Sequence, residues 1–255
     1  MADPFENEAD VERLARVLAL LGPGGDDSDR RSFCSVSASV TAMTGAGILL
    51  MGPTGTLASA GSADATSAVI DELQFTFGEG PSIDAHRDGG PVVEPDLAQP
   101  DVERWPAFAP RAVRAGVLAV CAFPLVVGAA RVGAIHLYRD RTGPLDAEQH
   151  ADALVLAAVA AREVLAAQSA ASRSVDLIGP LDNDLALPRL PLVVHQASGM
   201  VAVQLGVPVD EALLRIRARA FGEDRAVSGL AADIVARRLR FHDTDDGPSD
   251  GTEAT

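Results

Sequence analysis

The chain has 255 residues, 47% of them apolar, which is enough for one large core or two modest ones. A formal net charge of −15 sets the chain as a whole against nonspecific attraction to nucleic acid or an anionic membrane. All 21 basic residues are arginine, which excludes P-loop-lysine and Schiff-base-lysine chemistry, and the two cysteines, Cys34 and Cys121, lack the CxxC spacing of a thiolate zinc site.

The opening MADPFENEAD is acidic and unlike a signal peptide. The longest uninterrupted apolar run, Ala153–Ala161, is far short of a membrane span. The expectation is a cytoplasmic protein with no membrane partner. Val11, Leu14, Val17, Leu18 and Leu21 form one helical stripe, ended by GPGGDDSD. A second helix is predicted over about 28–43, its small residues Ser35, Ser37, Ala38 and Ser39 suited to close packing on a sheet. GAGILLMGPTGTLASAGS reads as strand, turn, strand. A helix over about 64–75 precedes FGEGPSIDAHRDGGPVVEPDLA, whose glycines and prolines predict a loop broken by one short strand, PVVE. Residues 105–115 predict a short helix, and 117–128 with 131–140 predict a hairpin turning at Gly128. The pattern is a helix-flanked antiparallel sheet, an α+β domain ending near 145.

Residues 146–168 read as a long Ala-rich helix. Ala151, Leu154, Ala158, Ala161, Leu165 and Gln168 follow heptad spacing, which fits either a short coiled coil or a stripe packed on the domain's own sheet. Residues 169–189 lack periodicity and read as a linker. An all-α unit is predicted over 190–242: one helix over about 191–205 stopping at Gly206, a second opened by Pro208 and Asp210 and running to Gly222, and a third capped by Ser228 and running to about Phe241. The acidic tail, 243–255, has the composition of a disordered segment. Charge separates the parts: residues 188–242 carry eight arginines against five carboxylates, net +3, and the remainder is net −18.

Catalytic patterns are missing. The histidines at 86, 136, 150, 195 and 242 form no HExxH, HxH or Cys–His spacing, so neither a metal nor a cofactor is expected. There is no GxSxG or SxxK, and Asp26–Asp27 follows a helix rather than a strand. His136 alternates with Val132, Ala134 and Tyr138 on one strand face, as a packed or pocket-lining residue would. GEGP at 78–81 is favoured as a structural turn, because Pro81 removes a donor that a phosphate cradle needs. The expectation is a protein that is not an enzyme.

Residues 10–168 contain the GEGP turn, the Asp84–Ala85 pair, a PDL triplet, the RWP triplet and the ending LYR. Together these resemble the GAF-domain form of actinobacterial regulators. The resemblance implies a sheet with a small-molecule pocket on one face, helices on the other, and a dimer formed through the termini. Pocket candidates on that basis are Val93, Asp96, Trp105, Phe108 and His136. Ser82 stands where relatives often have Cys, so a thiol-based role at that position is not supported.

In the second helix of the all-α unit, Val209, Ala212, Leu213, Ile216 and Ala220 share one arc, an ordinary core stripe. Leu214, Ala218 and Phe221 fall on another side, with Arg217 beside them and Arg215 and Arg219 on the opposite flank. An aromatic next to arginine suits base stacking with phosphate contact; coverage by a neighbouring helix or a dimer partner is the alternative. HQASGMVAVQLGV, the Ala212–Leu213 pair, the Ala220–Phe221 step and LAADIV closely resemble the ANTAR domain, over about 190–241. Relatives often carry Lys or Arg in place of Ser198 and Arg near Gln204, and this chain has neither. The resemblance implies a dimeric three-helix RNA-binding domain, with Gln196, Ser198, Gln204, Arg215, Arg217, Phe221 and Arg225 as candidate contacts. Met200, Val203 and Leu205 are assigned to the core, and Gln196, Ser198 and Gly199 to a small polar surface.

The expected function is an antitermination regulator: a GAF sensor, with a small-molecule ligand, controls an ANTAR domain that binds stem-loops in nascent RNA as a homodimer. The alternative is a ligand-binding or protein-interaction module whose C-terminal helices serve dimerisation or partner docking. A DNA-reading helix-turn-helix is less supported, since the third helix lacks an Asn/Gln/Arg cluster at its N-terminal end.

Overall fold

The computed structural model describes residues 8–21, 27–52, 55–99, 104–177 and 192–242, and the chain divides into two compact units, Met1–Arg189 and Leu190–Thr255.

The first unit is built on five strands, β1 (Gly45–Gly52), β2 (Gly55–Ser62), β3 (Val92–Glu94), β4 (Ala119–Val127) and β5 (Ala130–Arg139). Their order is β2-β1-β5-β4-β3, and every pairing is antiparallel. The alternation of each strand sorts its side chains between two cores. On one face Ala46, Ile48, Leu50, Cys121, Phe123, Leu125, Ile135 and Leu137 pack with α1 (Glu8–Leu21), α2 (Asp27–Val40) and α6 (Ala147–Leu177). On the other, Leu49, Met51, Val120, Ala122, Ala134 and Tyr138 pack with α3 (Ala65–Phe77), α4 (Pro81–Asp88) and α5 (Phe108–Arg114).

The hairpin follows its prediction closely. Its register shifts between Leu125 and Val126, next to Gly133. Gly133 has φ 158°, and a Cβ there would stand 2.1 Å from the Leu49 carbonyl oxygen. That irregularity corrects one expectation: Val132 packs with the α1/α2/α6 core, while Ala134, His136 and Tyr138 hold the other face.

Two segments of this unit depart from what the sequence predicts. Residues 81–88, expected as loop, form α4: Pro81 supplies N1, where a missing N–H costs nothing, and Gly89, at φ 72°, closes the last turn. The same glycines that suggest a loop are the start and stop of a short helix. α6 runs to Leu177, so residues 169–177, expected as linker, are helical; Ala170, Ala171 and Ser172 carry no breaker that would end it. Residues 178–189 of the expected linker and the tail 243–255 lie outside the described residues, as does Asp26. Within α6 the sheet is met by Ala153, Leu156, Ala157 and Ala160, whereas Leu154 and Leu165 of the heptad seam are 40% and 39% exposed.

The second unit is three helices, α7 (Leu192–Leu205), α8 (Val209–Gly222) and α9 (Val227–Val235). Its core consists of Val194, Ala197, Val201, Ala212, Ile216, Ala220, Val227, Leu230, Ala231, Ile234 and Phe241. Gly206, at φ 67°, ends α7 as expected. The third helix is shorter than expected: Ala226 takes the cap position, Ser228 lies inside the first turn, and the helix stops at Val235, with Arg237 at φ 60° turning the chain. The residues after it fold back, and the Phe241 N–H donates to Gln204 Oε1 at 2.9 Å.

Candidate functional site

In the first unit the face of the sheet covered by α3, α4 and α5 is not uniformly apolar. α3 turns Ser67, Asp71 and Gln74, at i, i+4 and i+7, inward with Ile70, so its buried face carries a polar stripe. Beneath it β1 offers glycine at positions 45 and 47. A Cβ at Gly47 would stand 2.5 Å from His136 Cε1 and 3.2 Å from Asp71 Oδ1; one at Gly45 would stand 2.4 Å from Tyr138 Cε1. The two side chains of β5 therefore lie flush over the bare backbone of β1.

Asp71 is the centre of this layer. Its Oδ2 accepts from Ser59 Oγ and Ser62 Oγ, both at 2.7 Å, from the edge strand β2. Its Oδ1 lies 3.5 Å from His136 Nδ1. Neither Oδ1 nor either His136 ring nitrogen has a hydrogen-bond partner among the described residues, and Gln74 Nε2, Ser82 Oγ and His86 Nδ1 share that condition. Burial pushes the Asp71 carboxyl up to about 7, against the pull of the two serine hydroxyls, and pushes the His136 imidazole down to about 3. Nearby, Asp64 caps α3 by accepting from the Ser67 N–H at 2.7 Å, and Tyr138 Oη donates to the same carboxylate at 3.1 Å. Gln74 Oε1 accepts from the Ser82 N–H at 2.7 Å and ties α3 to α4.

The GEGP segment has a structural use. Gly78 closes α3 in the left-handed region, Gly80 precedes α4, and Glu79 Oε1 accepts from the N–H groups of Ala107 and Phe108 at 2.6 and 2.7 Å, capping α5. Asp84 gathers a second knot: Trp105 Nε1 donates to it at 2.9 Å, Arg104 Nη2 stands 3.0 Å away, and Arg87 Nη2 pairs at 2.6 Å.

Of the pocket candidates, His136, Trp105 and Phe108 are buried on the α3/α4/α5 face of the sheet, the last two as an edge-to-face pair with centroids 5.8 Å apart. Val93 and Asp96 do not join them. Val92 is the buried residue of β3, Val93 points outward by alternation, and Asp96 folds on itself by accepting from the Ala98 N–H at 2.9 Å. Asp71, Ser59, Ser62 and Gln74 belong to no motif legible in the sequence; the signal is the Ser67–Asp71–Gln74 spacing, which puts three polar side chains on the same face of α3 as Ile70.

In the second unit α8 buries Ala212, Ile216 and Ala220, while Leu214 and Phe221 are 64% and 54% exposed, with Ala218 between them also exposed. Val209, assigned to the core stripe, is instead exposed at its start. Arg217 lies beside the exposed stripe, and burial lowers its guanidinium from the ordinary value. Arg215 pairs with Glu211 at 2.8 Å, Arg219 with Glu223 at 2.8 Å, and Arg225 with Asp233 at 2.5 Å. On α7, Gln196 is exposed, and Gln204 is engaged with the Phe241 backbone. Ser198 is corrected: it is buried, and its Oγ donates to the Val194 carbonyl at 2.8 Å, one turn back. Val203, assigned to the core, is 85% exposed, since Val194, Ala197 and Val201 are the residues of α7 that point inward.

Among the described residues no group of three or more His, Cys, Asp or Glu is placed to hold a metal ion, and no single helix is long and apolar enough to cross a membrane. No family model matches the chain, and no curated protein matches it. Solved structures do. The GAF domain from the Acinetobacter phosphoenolpyruvate-protein phosphotransferase is 10% identical with a TM-score of 0.49, the match covering 65% of this chain and 99% of that one. The GAF domain from a phosphoenolpyruvate-protein phosphotransferase of Coxiella burnetii is 11% identical with a TM-score of 0.48, covering 64% and 96%. The A. aeolicus nlh2 GAF domain in an inactive state is 14% identical with a TM-score of 0.43, covering 62% and 96%. All three are GAF domains matched over nearly their whole length.

Proposed function

We propose that this chain is a cytoplasmic regulator in which a GAF-type sensor unit controls a C-terminal ANTAR-type unit that binds stem-loops in nascent RNA. The observation that carries the reading is the second face of α8: Leu214, Ala218 and Phe221 are exposed beside Arg217, an aromatic and a cation side by side as stacking on unpaired bases requires. The positive segment of the chain is this same helical unit, which carries net +3 over residues 188–242. The protein acts by binding and not by catalysis: holding one RNA fold shifts the equilibrium away from a competing terminator hairpin. On this reading the working form is a homodimer, for which Leu154 and Leu165 of α6 and Val11 and Leu18 of α1 are exposed apolar residues. A small ligand in the sensor unit biases one arrangement of that dimer.

The test is recovery of RNA bound to the purified full chain from a cell-derived transcript pool. Paired stem-loops upstream of terminators should be enriched, and the Arg217→Ala/Phe221→Ala double variant should lose them while keeping its fold. Undiminished binding by that variant would overturn the site.

A second reading has its own support. Arg215, Arg219 and Arg225 are each paired with a carboxylate of the same unit, which reduces the charge left for phosphate. On that reading the α8 stripe docks a protein partner. Salt separates the two: phosphate-mediated binding weakens steeply between low and physiological salt, and an apolar contact barely responds.

A further inference from the structure

The buried layer beneath α3 sets a carboxyl oxygen against an imidazole nitrogen with no hydrogen bond formed between them. Asp71 Oδ1 and His136 Nδ1 face across 3.5 Å, both without partners, in residues that are 4% and 0% exposed. Leaving such atoms unsatisfied in a buried site is costly. The smallest species that satisfies both is a proton held between them. The neighbouring side chains prepare the place: Ser59 and Ser62 occupy the far oxygen of the carboxyl, leaving the near one, and Gly47 lets the ring lie where any Cβ would strike it.

We propose that the small ligand read by the first unit is the proton, bound at a buried Asp71–His136 site whose loading decides which His136 nitrogen carries hydrogen. This rests on the reading of the first unit as a sensor. In the loaded state the Asp71 carboxyl O–H donates to His136 Nδ1, and the ring's own hydrogen is on Nε2. On unloading, the Nε2 proton leaves to solvent and the carboxyl hydrogen passes to Nδ1, which then donates to the carboxylate. One proton is released, the imidazole is neutral in both states, and the site goes from uncharged to −1. Burial favours this route over an imidazolium, since it holds the carboxyl up to about 7 and the imidazole down to about 3.

The groups facing the pair agree. From α3, Glu72 raises the carboxyl; from β2, the two serine hydroxyls lower it. Asp64, before α3, favours positive charge on the ring without offsetting its burial. Cys34 of α2, in the core on the opposite face of the sheet, has its own thiol pushed up to about 12, by burial first and Asp71 second, and is uncharged near neutrality. β1 contributes only glycine at position 47, and the Tyr138 hydroxyl is engaged with Asp64. A charge appearing in this layer acts on α3, which runs into Gly78 and the α5-capping Glu79.

The experiment is long-range 1H–15N spectroscopy of the full chain labelled at histidine, across about pH 5.5 to 8.5, with His136 identified by the signals lost in His136→Gln. His136 should stay neutral, changing from the Nε2–H to the Nδ1–H tautomer with a midpoint near 7. Asp71→Asn should fix one tautomer at every pH. Ser59→Ala/Ser62→Ala, which removes two donors to the carboxylate, should move the midpoint upward; this arm decides if Asp71→Asn does not fold. A single tautomer throughout, or imidazolium in this range, overturns the site. The same samples are then titrated with the stem-loop RNA recovered above. An affinity change of about fivefold across the midpoint, abolished by Asp71→Asn, is expected of a coupled sensor. A tautomer change with no change in RNA affinity overturns the proton as the signal. Failure to bind RNA at any pH is a failure of the RNA-binding reading, and the spectra still decide the proton site.

Discussion

Gly47 stands directly across the β1–β5 ladder from His136, and the imidazole lies over the bare Cα so closely that an added methyl group would be 2.5 Å from the ring. Gly47→Ala should therefore displace His136 and cost about 1–3 kcal/mol, in spite of the lower backbone entropy of alanine in the unfolded chain. Gly229→Ala is the control: it sits in α9 with nothing within 4 Å of the added methyl and should stabilise by about 1 kcal/mol. Urea unfolding of both variants checks the contrast.

Stability against pH tests the Asp71–His136 pair with opposite signs. Unfolded, Asp71 binds a proton below 3.8 and His136 below 6.5; folded, Asp71 binds one below about 7 and His136 below about 3. Between about pH 4 and 6.5 each state holds one proton, on the carboxyl when folded and on the imidazole when unfolded, so the intact pair adds no slope. Asp71→Asn leaves a group with a depressed folded value, whose stability is full above 6.5 and is lost as pH falls. His136→Gln leaves a group with a raised folded value, whose stability is full below 3.8 and is lost as pH rises through 7. The two variants should slope in opposite directions by up to about 1.4 kcal/mol per pH unit. Urea midpoints at several pH values in that window decide it, and parallel slopes would contradict the assignment.

Trp105 adopts φ 62° and is held by the Asp84 carboxylate on its indole N–H. Asp84→Ala strands that buried donor and releases Arg104, which lies 4.7 Å from the indole centroid, so a loss of about 3 kcal/mol is expected. Trp105 is the single tryptophan, and its emission should shift to the red. Arg87→Ala removes a guanidinium from the same carboxylate, but its side chain is 64% exposed, and the cost should stay below about 1 kcal/mol.

If the second unit binds stem-loop RNA as proposed, Ser198→Ala should leave that affinity unchanged within about twofold, because the hydroxyl is turned into the three-helix core and spent on the Val194 carbonyl. Stability should change by no more than about 0.5 kcal/mol, alanine being the better helix former. Ser198→Arg would bury a guanidinium in that core and should unfold the unit before it gains a phosphate contact. Electrophoretic mobility shifts paired with thermal melts separate the two effects.

Much of the architecture is legible in the sequence because it rests on local rules. The β4–β5 hairpin follows from two apolar runs on either side of Gly128, the first helix from the Val11–Leu21 stripe, and the α7–α8 corner from Gly206 and Pro208. The exposed stripe of α8 is legible too, since the arcs on a regular helix depend only on spacing. Local rules mislead where the same residues serve two ends. The glycines around 78–90 punctuate a loop and cap a short helix equally well, and Pro81 forbids neither.

The sequence by itself determined the two-part organisation, the arginine-only positive segment in the C-terminal part, the antiparallel hairpins and the two-faced second helix of the three-helix unit. Tertiary structure alone decided what those faces meet. It turned Val203 to solvent and Ser198 inward, because three helices enclose a single axis and only one arc of α7 can face it. It also brought Asp71, Ser59, Ser62 and His136 into one layer from a helix and two strands that do not neighbour one another in the sheet. The physical reason is pairing at a distance: β1 lies between β2 and β5, and its glycines leave the space in which side chains from both sides can meet, a relation between residues up to 77 positions apart that no local periodicity encodes.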